Sequence, residues 1–328
     1  MLLRGVEVAG IASVVPSDSV GVDQWSELFG AEAVERAVAT TGIRSVRAAA
    51  NGQLTSDLMA AAAERILKGL GTSPAEIDAV VVATTTPDKR TPATSCLLQD
   101  RLGIPTSAYA IDITHGCSAY PYAMSLAGML VSTDVATTVL VLTGDTMVRH
   151  IKPEDSGSRL IFGDGAAATI VRRGDSFMTG EFHTDGSGAP HLYWDQPDPQ
   201  VGVSHSQMNG VEVMQFALTR VPGLVRSLRE QFDQAIGTEP WTAVYLHQAN
   251  GFAVSHLGRM CAMNETRFPR AVEDTGKTGP ASIPLCISSD AEEHSLGVSA
   301  LVGFGVGWSW GGVVVDLTST LVLPTVDA

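Results

Sequence analysis

Two residues have the types and settings of nucleophilic catalysis: a cysteine at 117 and a histidine at 247. Cys117 lies in Thr114-His-Gly-Cys-Ser-Ala-Tyr120. The apolar run at 108–113 reads as a buried strand. Gly116 permits a sharp turn, and 121–130 reads as a helix of small apolar residues. A thiol at that apex faces a helix N-terminus, whose open N–H groups and dipole favour the thiolate, the nucleophilic form. A lone cysteine in such a corner is more often an inert part of the core, so its partners decide. His247 opens His247-Gln-Ala-Asn250 directly after the apolar run 243–246. Side chains in that position meet at the carboxyl edge of a sheet, and histidine is the usual base for a thiol. The stretch Gly303-Phe-Gly-Val-Gly-Trp-Ser-Trp-Gly-Gly312 can bring backbone N–H groups to a substrate, as an oxyanion hole requires. Thr275-Gly-Lys-Thr-Gly-Pro-Ala-Ser-Ile-Pro284 is a tight loop opening a helix, and it carries Lys277.

The elements that must position these residues alternate along the chain. A first strand is expected over 5–15 with a break at Gly10, then a helix over 24–39. Thr55 can cap a helix over 56–70 that Gly71 stops. Strands follow at 79–83 and 138–142, with a polar loop at 84–90 and a helix at 92–102 between them. Residues 160–171 read as a hairpin-like pair around Gly163-Asp-Gly165. Residues 172–207 read as a crossing with room for one strand. The pattern then restarts: a helix at 211–235 ended by Gly237, the strand 243–246, helices at 251–263 and 281–293, and two strands within 298–317. Two halves, 1–172 with Cys117 and 173–328 with His247, predict a duplicated α/β fold with mostly parallel sheets.

Composition agrees with such a fold. The chain has 328 residues, 45% hydrophobic and 17% charged, with 33 glycines. A net charge of −14 argues against nucleic-acid or anionic-membrane partners. The four cysteines, Cys96, Cys117, Cys261 and Cys286, show neither paired nor zinc-ligand spacing. They fit reduced thiols in a cytoplasmic protein. Neither a signal-peptide pattern nor an apolar run of membrane-spanning length is read. His183, His191 and His205 lack metal-ligand spacing, and no metal is expected. Residues 271–278 resemble the end of a phosphate-binding loop but lack its first glycine and preceding strand. Gly163-Asp-Gly165 lacks the third glycine of a dinucleotide fingerprint.

Taken in order, Thr41-Gly-Ile-Arg44, Gly116-Cys117, Phe162-Gly-Asp-Gly-Ala-Ala167, Met208-Asn-Gly-Val-Glu-Val213, His247-Gln-Ala-Asn250, Gly276-Lys-Thr-Gly-Pro-Ala-Ser-Ile-Pro284 and Gly305-Val-Gly-Trp-Ser-Trp-Gly311 resemble the motifs of the β-ketoacyl-ACP synthase III family. The resemblance spans essentially the whole chain. It implies the thiolase fold, a five-layer αβαβα homodimer, and acyl-CoA or acyl-ACP thioesters as substrates, with no cofactor. It also implies roles. Cys117 takes the acyl group, His247 assists, and an enolate from a malonyl thioester then attacks the acyl-Cys. The N–H groups of Cys117 and Gly307 form the oxyanion hole, and Thr91, Phe162, Asn250 and Phe304 line the substrate.

The chain departs from the family in ways that bear on chemistry. Lys277 stands where the family has the asparagine that stabilises the enolate, and losing one such donor typically costs about 10²–10³ in rate. Among the family's CoA contacts, the stacking tryptophan aligns with Arg36, a phosphate-contacting arginine with Thr40 and a further arginine with Ser156. A basic residue associated with carrier docking aligns with Phe252. Together these point away from free acetyl-CoA as donor. Thr91 replaces a pocket-closing phenylalanine, which predicts a longer or bulkier acyl group. The leading expectation is an acyl-thioester condensing enzyme of fatty-acid-like or polyketide metabolism. The alternatives are acyl transfer to oxygen or nitrogen, which needs no enolate stabiliser, and a non-catalytic partner subunit of a ketosynthase.

Overall fold

The structure is a computed structural model that describes residues 1–194 and 206–328. His205 lies outside the described residues. The chain opens with β1 (Leu2–Val15), a long strand without the expected interruption at Gly10. Gly10 instead sits beside a register shift in the pairing of β1. A small ribbon of β2 (Ser19–Gly21) and β3 (Ser45–Arg47) brackets α1 (Val22–Phe29) and α2 (Ala31–Thr41). The sequence reading had these as one helix. They part at Gly30, whose φ of 86° closes the first helix. Then come α3 (Thr55–Leu70), β4 (Ala79–Ala83), α4 (Thr94–Arg101), β5 (Tyr109–Ile113), α5 (Ala119–Ser132) and β6 (Thr138–Asp145). Thr55 does not cap α3. It is the first helical residue and bonds Thr86 and Thr146, while Asp57 reaches back to the Leu54 N–H at 2.7 Å.

After the single turn α6 (Ser156–Arg159) comes β7 (Gly165–Thr184), one strand of 20 residues. It replaces both the expected hairpin at 163–165 and the crossing that was to start at 172, so the predicted half boundary falls inside it. Two neighbours keep it straight. Its first part pairs with β6 from Gly165↔Asp145 to Arg172↔Thr138, and β1 runs antiparallel along most of its length. The chain continues through β8 (Leu192–Trp194), β9 (Ser206–Met208), α7 (Gly210–Ala235), β10 (Ala243–Leu246), α8 (Gly251–Cys261), α9 (Ser282–Asp290), β11 (Val298–Gly305), β12 (Ser309–Asp316) and β13 (Leu321–Asp327).

The strand order is β10-β11-β12-β7-β6-β4-β5, with β1 also pairing β7 and β13. The last part of β7 pairs with β12, so this strand joins the two halves of the sheet system. Parallel strands covered on both faces are near-continuously apolar. Accordingly, β4, β6 and β10 are buried at every position. One apolar cluster packs α3 on the first half, a second packs α7 and α8 on the second half, and a third encloses α5 and α9 between them. This is the five-layer αβαβα arrangement. Among the described residues no helix is long and apolar enough to cross a membrane.

Candidate active site

The chemistry-bearing residues gather where the strands end. Cys117 follows β5, Asp145 ends β6, His247 follows β10, and Gly305 ends β11. Cys117 sits in a single 3-10 turn, Gly116–Ser118, that runs into α5. Gly116 needs its φ of 58°, and a side chain there would strike Val306. Two further glycines let β11 lie flat on this turn. A Cβ on Gly303 would fall 2.8 Å from the Ser118 Cα, and one on Gly305 would fall 2.9 Å from the Cys117 Cβ. The Ser118 and Ser309 hydroxyls, 2.6 Å apart, pin the turn to the start of β12.

His247 is 1% exposed. Its Nδ1 lies 2.7 Å from the Ser282 hydroxyl, which also accepts the Gln248 N–H at 3.3 Å. With its oxygen accepting that N–H, the Ser282 O–H is free to donate to Nδ1. When the Ser282 O–H makes that donation, the hydrogen of the neutral ring stands on Nε2, and Nε2 is buried without a partner. Burial, reinforced by the nearby Lys277 charge, holds His247 well below the ordinary imidazole range, so the ring is neutral. Its edge-on neighbour is Phe304, 5.6 Å between centroids.

Lys277 does not point to solvent; it is 5% exposed. The 275–278 loop is stitched to the 161–163 segment: the Lys277 N–H donates to the Ile161 carbonyl at 2.8 Å, and the Gly163 N–H donates to the Lys277 carbonyl at 3.2 Å. Gly163 has to be glycine, because a Cβ would fall 2.0 Å from the Thr275 oxygen. The stitching sets the Lys277 ammonium over the Phe162 ring, 4.7 Å from its centroid. It also brings the ammonium near enough to Cys117 for its charge to favour the thiolate. Burial still dominates and pushes the Cys117 thiol up, with Asp145 adding to the rise. This corrects the expectation of a thiolate favoured by the helix end: the resting group is a thiol.

Asp145 is the residue that sequence reasoning missed. It is 1% exposed and accepts from the Thr84 hydroxyl at 2.9 Å, the Thr85 N–H at 2.7 Å and hydroxyl at 3.0 Å, and Thr86. Burial raises it to about 6 against the pull of those donors. It also presses on Gly279, where a Cβ would lie 2.4 Å from its Oδ2. The one signal was an acid closing an otherwise uncharged buried run. Ser282 was likewise legible only as part of its loop.

Of the other expected residues, Phe162 and Phe304 join the site beside Lys277 and His247. Asn250 does not reach it with its amide oxygen, which caps α8 by accepting the Ala253 N–H at 2.8 Å. Gly305 and Val306 touch the cysteine turn, whereas Gly307 has Ser309 as its near neighbour. Thr91 is exposed within the single chain. Arg36 is exposed and pairs with Glu32. Phe252 is 52% exposed and stacks on His256. Thr40 and Ser156 are exposed as well. Helices α2 and α8 adjoin, since a Cβ on Gly251 would meet the Thr41 carbonyl at 3.0 Å. His183 and His191 stack on Trp310 and Trp308. Two surface hollows, one along α8 beside Phe268 and one beside Arg65, have none of Cys117, His247 or Lys277 in their linings.

Comparison with known proteins agrees with this geometry. Residues 111–186 match the family model described as 3-oxoacyl-[acyl-carrier-protein (ACP)] synthase III, and residues 233–317 match that family's C-terminal model. The first range holds Cys117, the second His247 and Lys277. A β-ketoacyl-[acyl-carrier-protein] synthase III of Clostridium acetobutylicum is 30% identical over 96% of this chain and 100% of its own. Among solved structures, a 3-oxoacyl-(acyl-carrier protein) synthase from Burkholderia xenovorans superposes with a TM-score of 0.91 at 32% identity, covering 100% of this chain and 98% of its own. The priming β-ketosynthase of the R1128 polyketide pathway superposes with a TM-score of 0.85 at 28% identity, covering 95% and 96%.

Proposed function

The chain belongs to the 3-oxoacyl-[acyl-carrier-protein] synthase III family, and we propose that it is a condensing enzyme that works through an acyl group on Cys117. The observation that carries the reading is the meeting of a buried thiol, an unpartnered His247 Nε2 and the Lys277 ammonium at the ends of β5, β10 and the 275–278 loop. Loading exchanges one thioester for another. The Cys117 sulfur bonds to the acyl carbon, the donor thiol leaves, and the proton passes from one sulfur to the other. Lys277 supports the transient thiolate by charge. Backbone N–H groups of Cys117 and of the 305–307 turn are the proposed donors to the tetrahedral oxygen.

In the second half-reaction an acyl or malonyl thioester supplies the carbon nucleophile. Negative charge grows on its thioester oxygen, where a His247 Nε2–H and a cation replace the family's histidine and amide pair. The four altered surface positions, Arg36, Thr40, Ser156 and Phe252, favour a donor other than free acetyl-CoA. A second copy of the chain is part of the proposal, seated along the edge strand β5, which pairs on one side with β4. The two halves, 1–172 and 173–328, are proposed as duplicated units joined by β7.

The test is the mass of the intact protein after incubation with a panel of acyl thioesters, followed by product analysis with malonyl thioester. An adduct lost in Cys117→Ala, and a β-ketoacyl product with release of CO₂, support the reading. An adduct that maps to Cys96, Cys261 or Cys286 defeats it, as does acyl transfer to alcohols or amines alone.

A further inference from the structure

The Lys277 ammonium is buried, and among the described residues no carboxylate lies within 4.0 Å of it. Removing a cation from water without a counter-charge is expensive. The face of Phe162 compensates only in part. Asp145 is the buried acid whose field also reaches Cys117, but its oxygens are taken by the donors of Thr84, Thr85 and Thr86. The resting Cys117 is a thiol, so it offers the ammonium an anion only in the transient thiolate before acylation. Through the lifetime of the acyl-enzyme the cation then has no anion unless the acyl group brings one. Beside it stands a second open position, His247 Nε2, buried and unpartnered. A carboxylate has two oxygens and suits two convergent donors, one of them charged.

We propose that, until the second thioester arrives, Lys277 and His247 form a receptor for a carboxylate on the acyl group itself, so that Cys117 is loaded with a short dicarboxylic half-thioester whose carboxylate is retained and yields these donors to the incoming thioester oxygen. The proposal rests on the reading of Cys117 as the acylated nucleophile and names its substrate class. The Lys277 charge bears on Cys117, so the carboxylate must lie close to the thioester, and the shortest diacids, malonyl and succinyl, are the proposed class. The placement also bears on the fate of the group. Decarboxylation moves charge off the carboxylate, so a cation paired there stabilises the starting state more than the transition state and preserves the acid. Loading is a thioester exchange as before: the C–S bond to the donor breaks, the bond to Cys117 forms, and no oxidant or further reactant enters.

The test uses N-acetylcysteamine thioesters of malonate, succinate, propionate and butyrate, which bypass any CoA or carrier-protein contact. They are competed on the wild-type protein and read by intact mass. A charged hydrogen bond of this kind corresponds to a preference of about 10- to 100-fold for each diacid over its neutral counterpart of equal length. The malonyl adduct keeps its carboxylate. Lys277→Met removes the charge that favours the thiolate and should slow loading of every thioester, but it should level the ratio of diacid to neutral loading, and Lys277→Arg should keep part of that ratio. Equal or better loading of the neutral thioesters by the wild type overturns the proposal, and so does a malonyl donor that leaves an acetyl adduct. A preference that survives Lys277→Met assigns it to other groups and also overturns it. If no thioester loads the wild type, the acyl-cysteine reading itself falls, and this inference with it.

Discussion

Removing the Ser282 hydroxyl should separate the two halves of the reaction. Ser282 is 2% exposed and its oxygen is 2.7 Å from His247 Nδ1, a ring that is itself 1% exposed. In Ser282→Ala the ring nitrogen loses its donor, and the Gln248 N–H loses its 3.3 Å acceptor. An unpaired buried polar group costs about 1–3 kcal/mol, so the urea midpoint should fall accordingly. The kinetic effect has another origin. Without the hydroxyl donor the ring hydrogen is free to move to Nδ1, which turns Nε2 into a lone pair facing the growing negative charge. Loss of one oxyanion donor is worth about 10²–10³ in rate, so C–C bond formation should fall by that order. Acyl loading, which has Lys277 for its thiolate, should fall much less. Ser282→Thr keeps the hydroxyl and should retain most of the condensation rate. The assay is product formation beside acyl-enzyme formation for all three proteins. Condensation in Ser282→Ala within about threefold of wild type, despite a lower urea midpoint, would refute the argument that Ser282 sets the tautomer.

Four further outcomes follow from the geometry. Alkylation of Cys117 by iodoacetamide should titrate above the ordinary thiol range because burial raises it. Lys277→Met should move the midpoint up and Asp145→Asn should move it down; no movement on removing Lys277 would place the ammonium away from the sulfur. Gly305→Ala puts a methyl 2.9 Å from the Cys117 Cβ. It should lower stability by about 1–3 kcal/mol and block loading, read by denaturant melts and intact mass; full loading would contradict the packing. Asp145 and Asp164 are both raised from 3.8 to about 6 by burial. The folded chain therefore binds more protons than the unfolded chain between those values. Stability from these carboxyls is present below about pH 4 and is lost as pH rises through 6, at most roughly 3 kcal/mol each. The urea midpoint of Asp164→Asn should depend less steeply on pH across that window than wild type; parallel curves would refute the shift. Thr91→Phe should shift loading towards shorter acyl groups, at about 0.8 kcal/mol per excluded methylene, and acetyl as the best donor of the wild type would end the pocket argument.

The site was legible in the sequence because its chemistry sits at strand ends, where an apolar run stops abruptly at a polar residue. Cys117 after 108–113 and His247 after 243–246 announce themselves that way. Lys277 could be placed in its loop, but not turned inward, because the hydrogen bonds that stitch it to Ile161 and Gly163 join segments more than a hundred residues apart. The long β7 was hidden for a related reason. Arg172-Arg173-Gly174-Asp175 has the composition of a turn, and only pairing with β1 on one side and with β6 and then β12 on the other keeps it extended. The strand β13 was missed because Pro324 interrupts its run; it lies at the edge of the system, paired with β1 alone, where proline is tolerated. For Asn250 the sequence suggested a substrate-lining place but not the helix cap that its amide oxygen makes with the Ala253 N–H.

The position of the seam explains why one substitution can redirect this site without disturbing the fold. Cys117, Phe162 and Asp145 come from the first half of the chain, whereas His247, Lys277, Ser282 and Gly305 come from the second. The halves are held together around the site by backbone contacts: the 161–163 segment on the 275–278 loop, and β11 lying on the cysteine turn through Gly303 and Gly305. None of these contacts depends on the side chain at 277. An amide and an ammonium can therefore occupy the same stitched loop, and the difference appears only in the field at Cys117. An amide offers that point a neutral donor. The ammonium adds a full charge in a place where Asp145, saturated by threonines, does not neutralise it. The fold therefore keeps the thiol and the histidine in place whatever stands at 277, and the proposed consequence of an ammonium there is a change in the anion the site holds.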